Sequence, residues 1–418
     1  MRTLLTLLAL LSLVPVHAQG LTLEEAADQA MKSNGRIQAA KLDYEAARLD
    51  VTVAAAAFFP SVTPRYTHVE QRSNGVNGDD SFDDLSLGAN WLLLDSGQRA
   101  YALAGAKDLR EAAKYGSKDT IRQILFSVIT QFHEVLRAQE LLRVAEAQLA
   151  RADQTLSVTT TQVEVGDAAK KEILQAEADK ANAVVSSLSA TNAVNTFKAA
   201  LKASIGWPAK EDLPDLVPPE PPTISEPPTL EETIDEGIKN RPDLAAARSQ
   251  LHAQRYSVLL AKQRAGLDWE LSADYSQGFG WDHDESKSLQ FVVTYPLFDG
   301  GALRALAKEA ELGYEASQAL YEQQVRDARS EIESAYLVWT QDRRILDASD
   351  LALKAAQENF NAASESQSLG AGTIIEVTAA QLALVTAETN RVQALYDYLI
   401  SEMELKLVTG APLPGEGE

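Results

Sequence analysis

Long stretches of the chain carry apolar residues at helical spacing. Ile121, Ile124, Leu125, Val128, Phe132, Val135, Leu142 and Leu149 recur at intervals of three, four or seven. That is the stripe of a helix packed along a coiled-coil seam. No proline interrupts the chain between Pro64 and Pro208 or between Pro296 and Pro412, and proline is the residue that most strongly breaks a helix interior. The pattern predicts two very long helices, about Gln98 to Val163 and Leu303 to Gln367. Each is reversed by a Gly-containing turn and followed by a second long helix that stops at Gly206 or Gly410. About 65 residues at ~1.5 Å rise make a helix of ~100 Å. That length suits a bundle or tube rather than a globular core.

Ahead of each long helix the period changes. A helical stretch, Leu21 to about Ala57 or Leu230 to about Ala265, is followed by two short β-like segments. These run about Ser61–Glu70 and Leu85–Leu94, then Asp268–Gln277 and Ser288–Phe298. The loops Gln71–Asp84 and Gly278–Lys287 are rich in Asp, Gly and Ser, as solvated turns are. Segments of about 10 residues are long enough to cross a bilayer as tilted strands. They carry Tyr66, Trp91, Trp269, Tyr275, Phe291 and Tyr295, and Trp and Tyr favour the headgroup level. Four strands cannot close a barrel, and open edges in lipid leave backbone groups unpaired. The smallest bacterial barrels have about eight strands, so membrane strands here require several copies of the chain; three give about twelve. Taken alone, the strands equally suit a soluble pair of hairpins packed on helices.

The two halves repeat one another. Thr22-Leu23-Glu24-Glu25 returns as Thr229-Leu230-Glu231-Glu232, and Leu94-Asp95-Ser96-Gly97 as Phe298-Asp299-Gly300-Gly301. Gly166 with Glu172 returns as Gly370 with Glu376, and Gly206 as Gly410. A register kept through the whole length marks a tandem duplication. Eight of the fifteen prolines lie between Pro208 and Pro228, an extended connector. The expected organisation is a signal peptide (1–18), a first repeat (19–207), a Pro-rich linker (208–228), a second repeat (229–411) and a C-terminal tail (412–418).

Composition narrows the function. Of 418 residues, 60 are acidic and 38 basic, a formal charge of −22. This argues against nucleic acid, whose phosphates need a cationic surface. There is no cysteine, which removes disulfides, thiolate nucleophiles, Cys-held metals and Cys-linked lipid anchors. Arg2, an apolar run from Leu4 to Val14 and Val16-His17-Ala18 have the order of a cleaved secretory signal.

Taken together, the chain resembles the TolC family of outer-membrane efflux and secretion channels over essentially its whole mature length. The residues that carry the resemblance are Leu23–Ala26, Phe58–Ser61, Arg241–Leu244, Tyr295–Gly301 and Leu369–Thr373. It departs at Gly266-Leu267, where a proline is expected, and at Asn34-Gly35, where Asn-Pro is common. The resemblance implies a mainly α fold with a small β part. The tandem-duplicated long coiled-coil helices would form a trimeric α-helical barrel in the periplasm. Four strands per protomer would join one 12-stranded transmembrane β-barrel in the outer membrane of a Gram-negative bacterium. It implies an exit duct working with a periplasmic adaptor (membrane fusion) protein and an inner-membrane transporter of RND or ABC type.

Several residues have candidate roles. Asp95 and Asp299 sit at the strand-to-helix junctions with Gly97, Gly300 and Gly301, placed to cap free helix N–H groups at a sharp bend. The helix reversals are Val165-Gly166-Asp167 and Leu369-Gly370-Ala371; the resemblance implies that these tips dock the adaptor. Glu172 and Glu376 lie six residues beyond the glycines. Three copies of both would ring the tip with six carboxylates that favour cations, and the resemblance places Glu376 at the pore constriction. Asp79, Asp80, Asp83 and Asp84 could bridge divalent ions to outer-membrane lipid, and Asp282-His283-Asp284-Glu285 reads as a solvated outer loop. His68, His133, His252 and His283 show no metal-ligand spacing. No P-loop or nucleophile elbow is present, so neither an enzyme nor a metal or cofactor site is expected. The rival reading is a soluble periplasmic coiled-coil scaffold or adaptor.

Overall fold

The computed structural model describes residues 20–71, 80–166, 169–219, 228–279, 284–369 and 371–416. The expected signal peptide, Asp167, Gly370, and the loop residues Asp79, Asp282 and His283 lie outside them.

The chain opens with α1 (Leu23–Ser33) and α2 (Gly35–Ala56), where one continuous stretch was expected. Asn34 makes the break. Its backbone is extended, its side-chain oxygen accepts from the Arg36 N–H at 2.9 Å, and its Nδ2 donates to the Ser204 carbonyl at 2.7 Å. A local cap thus competes with helix continuation, and here it also ties the break to a distant helix end. The second repeat breaks at Arg241, between α5 (Leu230–Asn240) and α6 (Pro242–Gln263), with Pro242 at the first helical position. Both short helices start on a capping box, Thr22 with Glu25 and Thr229 with Glu232.

The four strands form one antiparallel sheet in the order β1-β2-β3-β4. They are β1 (Ser61–Gln71), β2 (Asp80–Asp95), β3 (Asp268–Phe279) and β4 (Glu285–Thr294). β2 begins five residues earlier than its apolar pattern suggested. Its acidic start is strand because Ser81–Asp84 pair with Glu70–Thr67. β4 ends at Thr294, two residues before Pro296, which has no N–H for a ladder. The central β2–β3 pairing joins the two repeats.

The long helices are α3 (Gln98–Glu164) and α7 (Ala302–Ser368), both of 67 residues. They return as α4 (Lys170–Ile205) and α8 (Ile374–Val408). α3 packs on α2 and α4 from its own repeat and on α6 and α8 from the other. The largest apolar core lies midway, where Val128, Phe132, Leu201, Ile205, Trp339 and Tyr396 meet Leu213 and Leu216 of the linker. Gly206 and Gly410 end α4 and α8 with positive φ (66° and 71°). Each presses on the end of a short helix, at Ser33 and at Asn240, leaving no space for a Cβ.

Two arginines organise this belt. Arg122, 1% exposed, donates Nη2 to the carbonyls of Lys406 (3.0 Å), Leu407 (3.4 Å) and Ala411 (2.7 Å) at the end of α8, and Nη1 to Glu416. Arg241 grips Asp243 in two hydrogen bonds (3.0 and 2.8 Å) and Glu331 in another (2.6 Å). Asp119 stands beside this group; burial, with the Asp243 charge second, pushes its carboxyl above the ordinary range. A carboxyl whose pKa is raised by folding loses stability as pH rises from its unfolded value through its folded one. Asp119→Asn should therefore raise the thermal midpoint at neutral pH, and the gain should vanish as pH falls towards the usual carboxylate value. Melting curves followed by circular dichroism across that window check both points.

Candidate functional site

Register and pleat sort the strand residues into two faces. One face carries Val62, Pro64 and Tyr66 of β1, and Leu85, Leu87 and Trp91 of β2. It continues through Trp269, Leu271 and Tyr275 of β3 to Leu289, Phe291 and Val293 of β4. All five aromatics singled out within the strands fall on this face; Tyr295 lies beyond β4. The other face carries Arg65, Thr67, Asp84, Ser86 and Asn90, then Glu270, Ser272 and Asp274, then Ser286, Ser288 and Gln290, with Val69, Phe82, Leu92 and Val292 towards its ends. This alternation, apolar outward and polar inward, is that of a transmembrane barrel wall around a wet lumen. Leu289 and Phe291 are 75% and 57% exposed in the single chain, so their face is covered only by hydrocarbon or another molecule.

Charge and aromatics bound the apolar band. At the outer end, the Asp83 carboxylate accepts from the Tyr66 hydroxyl (2.8 Å) and meets His68 Nδ1 (2.6 Å). Lys287 pairs with Glu285 and lies 5.7 Å from the Tyr275 ring centre. At the inner end, Trp269 and Phe291 stack edge-on, and the Trp91 indole donates to the Phe58 carbonyl at 3.1 Å. The indole N–H is thus satisfied while its ring faces outward.

The strand-to-helix junctions are built by the two aspartates. Asp95 accepts from the N–H groups of Gly97 (3.2 Å) and Arg99 (2.7 Å), and Asp299 from those of Gly301 (2.9 Å) and Leu303 (2.6 Å). Two successive residues are left-handed in each, Ser96-Gly97 and Gly300-Gly301, which lets the chain bend sharply into the helix; α3 follows β2 within two residues, whereas residues 295–301 separate β4 from α7. These N–H bonds hold the Asp299 carboxyl below the ordinary range. The copies differ in one respect that the repeat pattern hid. Arg99 pairs with Asp95 (2.9 Å), donates to the Ala57 carbonyl and covers the Phe58 ring; Leu303 stands in its place in the second repeat.

At the far tips, Gly166 is left-handed (φ 87°) as α3 ends. The two candidate acids are not alike. Glu376 closes a capping box: its carboxylate accepts from the Thr373 N–H at 3.0 Å, and its own N–H donates to the Thr373 hydroxyl at 3.3 Å. Glu172 holds the same place on α4, but Ala169 at the cap offers it no such exchange. The Thr373-x-x-Glu376 spacing is a sequence signature of this cap, and it is missing at Ala169. The reversal of the second repeat is held by Ala371 and Gly372, whose N–H groups both donate to the Ser366 carbonyl (2.9 and 3.0 Å). Val165, Leu369, Leu174 and Ile375 are exposed around these tips; the last two escaped the sequence analysis because isolated apolar residues carry no pattern. Among the described residues no group of three or more His, Cys, Asp or Glu could hold a metal ion, and no helix is long and apolar enough to cross a membrane.

A one-sided apolar sheet of membrane-length strands, running directly into 67-residue helices, defines an outer-membrane channel subunit. The chain belongs to the outer membrane efflux protein family, which it matches over residues 26–207 and 233–411. It is 22% identical to the outer membrane efflux protein BepC of Brucella suis, over 93% of this chain and 85% of that protein. It is 22% identical to the proteases secretion protein PrtF of Dickeya chrysanthemi, over 98% and 92%. Proteins named TolC from Vibrio cholerae and Escherichia coli also match. The fold is that of the solved outer-membrane channel OprN, with a TM-score of 0.80 at 21% identity, over 93% of this chain and 90% of that one.

The two faces make opposite predictions. Leu289→Arg puts a charge at mid-strand on the lipid side, which costs about 2–4 kcal/mol near a bilayer midplane. It should sharply reduce the heat-modifiable assembled form in the outer-membrane fraction. Ser288→Arg on the polar face should assemble at wild-type levels and change single-channel conductance instead.

Proposed function

We propose that the chain is the protomer of a homotrimeric exit duct. Three copies close a 12-stranded barrel in the outer membrane, and their long helices continue it as a periplasmic tunnel. The duct conducts cargo passively from a periplasmic adaptor and an inner-membrane transporter of RND or ABC type, which supplies the energy. The observation that carries this reading is the sheet: one face apolar, one polar, and both lateral edges unpaired. The helices agree with it. α2 and α4 flank one side of the protomer and α7 the other, with Leu42, Leu49 and Val53 exposed on the first side and Leu312, Leu320 and Leu351 on the second. A head-to-tail contact of that kind forms a ring when the rotation between copies closes. The efflux and secretion names of the relatives support tripartite efflux or type I secretion as the setting.

The internal repeat supplies a register for the missing seam. Gly88 pairs with Asp274 and Ala89 with Ala273. Carried to the other copy of each element, these pairs become Val292 with Thr67 and Val293 with Tyr66 of the next protomer. The first pair keeps lumen-side residues opposite one another and the second lipid-side residues, as a one-residue slip would not. The chain has no cysteine, so introduced pairs report cleanly. Val292→Cys with Thr67→Cys, and Val293→Cys with Tyr66→Cys, should give covalent trimers on non-reducing gels, whereas Val292→Cys with Arg65→Cys should not. Monomers throughout would refute the closed barrel.

At the tip we assign Glu172 and Glu376 to the pore constriction and residues 165–167 and 369–371 to adaptor docking. Glu376 stays exposed while capping its helix, so its charge is still available to the pore. Glu172→Gln combined with Glu376→Gln should weaken cation selectivity in planar bilayers. An unchanged reversal potential would remove both residues from the constriction.

A further inference from the structure

The contact between the two repeats inside one chain is also a template for the contact between chains. From the long helices onward the repeats correspond at a constant shift. Gly97 and Gly301 share φ of 91° and 92°, Gly206 and Gly410 share 66° and 71°, and α3 and α7 have equal length. Within the chain, the first repeat grips the second through Arg122, whose partners are the carbonyls of Lys406, Leu407 and Ala411 and the carboxylate of Glu416.

Moved to the other copy, Arg122 becomes Arg326, the three carbonyls become those of Lys202, Ala203 and Trp207, and Glu416 becomes Asp212. The guanidinium, the helix-end carbonyls and the carboxylate are all retained. In the single chain these groups are apart. Arg326 is exposed, and its guanidinium donates to the Gln323 carboxamide oxygen one turn back (3.1 and 2.8 Å). The Asp212 side chain is fully exposed, with Lys202 Nζ at 4.0 Å. At the end of α4 lies an open groove of about 970 Å³, lined by Asn34, Arg36, Gln123, Ala203, Ser204 and Gly206. At the matching place in the second repeat, α3 fills the space, and only about 210 Å³ remains between Asp119, Gln123, Arg241 and Leu407.

We propose that Arg326 of each protomer enters this groove on the next copy, donates to the carbonyls at the end of α4 and pairs with Asp212. The proposal rests on the trimer reading above. The chemistry suits the groups: a helix C-terminus presents unpaired carbonyls and negative charge, and the planar guanidinium offers five donors in a fixed fork. Two details are not reproduced: Glu322 stands where Lys118 approaches Glu416 at 3.5 Å, and the Lys202 carbonyl already accepts from the Gly206 and Trp207 N–H groups, which leaves the Ala203 and Trp207 carbonyls as the main acceptors.

The test is the heat dissociation of the detergent-purified full-length trimer on semi-native gels. Arg326→Met should lower the dissociation midpoint by about 3 °C or more, and Asp212→Asn by less. The double variant should fall no lower than Arg326→Met alone, since the two residues act through one contact. Both sites are exposed in the protomer, so circular dichroism should show unchanged helix content. A trimer whose midpoint is unmoved by Arg326→Met, or additive losses in the double variant, would overturn the latch and leave the trimer standing. A wild-type chain that purifies as a monomer would overturn the trimer reading itself.

Discussion

The outer edges of β1 and β4 pair with no strand among the described residues, and in hydrocarbon each unpaired backbone N–H or C=O group costs several kcal/mol. The rest of the architecture follows from that penalty. A strand pair can be completed only by another strand, so the sheet calls for more copies of itself. The helices that continue β2 and β4 are carried into the same ring, with their apolar flanks facing the same neighbours. The left-handed pairs Ser96-Gly97 and Gly300-Gly301 let one chain serve both a tilted barrel wall and a long tunnel wall, and Asp95 and Asp299 hold the helix N–H groups exposed at that turn.

Duplication explains why the protomer looks symmetric, and divergence shows where the symmetry stops. The repeat one junction is reinforced by Arg99 over Phe58, and the repeat two junction by backbone bonds to Asp299. The end of α8 is sealed internally by Arg122, while the end of α4 is open beside a groove. Between α3 and α8, Arg137 reaches Asp397 and Arg151 reaches Glu388. Their counterparts across the other seam are Gln341 with Ala193 and Ala355 with Val184. At these two places the seam inside the protomer carries ion pairs that its repeat counterparts lack.

Much of this was legible in the residues. The stripe from Ile121 to Leu149, the missing prolines and the repeated Gly stops determined helix lengths, reversals and duplication, because helix-forming signals act over three or four neighbours. The strand aromatics and the want of four strands for a barrel determined the membrane class. The breaks at Asn34 and Arg241 were missed, since each is held by contacts far along the chain, with Ser204 and with Glu331. The early start of β2 was missed because its acids look like loop until β1 is laid beside them. Glu172 and Glu376 looked equivalent, although the cap that separates them is written in Thr373 and Ala169.

What the sequence determined by itself was the set of elements, their lengths and their twofold order, all properties of local spacing. What only the tertiary structure decided was adjacency: β2 beside β3, α3 shared by both repeats, Arg122 at the end of α8 and an open groove beside the end of α4. Adjacency depends on packing between residues hundreds of positions apart, and a single sequence carries no periodicity at that range. The tertiary structure also chose the lipid side, because a pleated strand offers two faces and only pairing with its neighbours aligns them into one apolar surface.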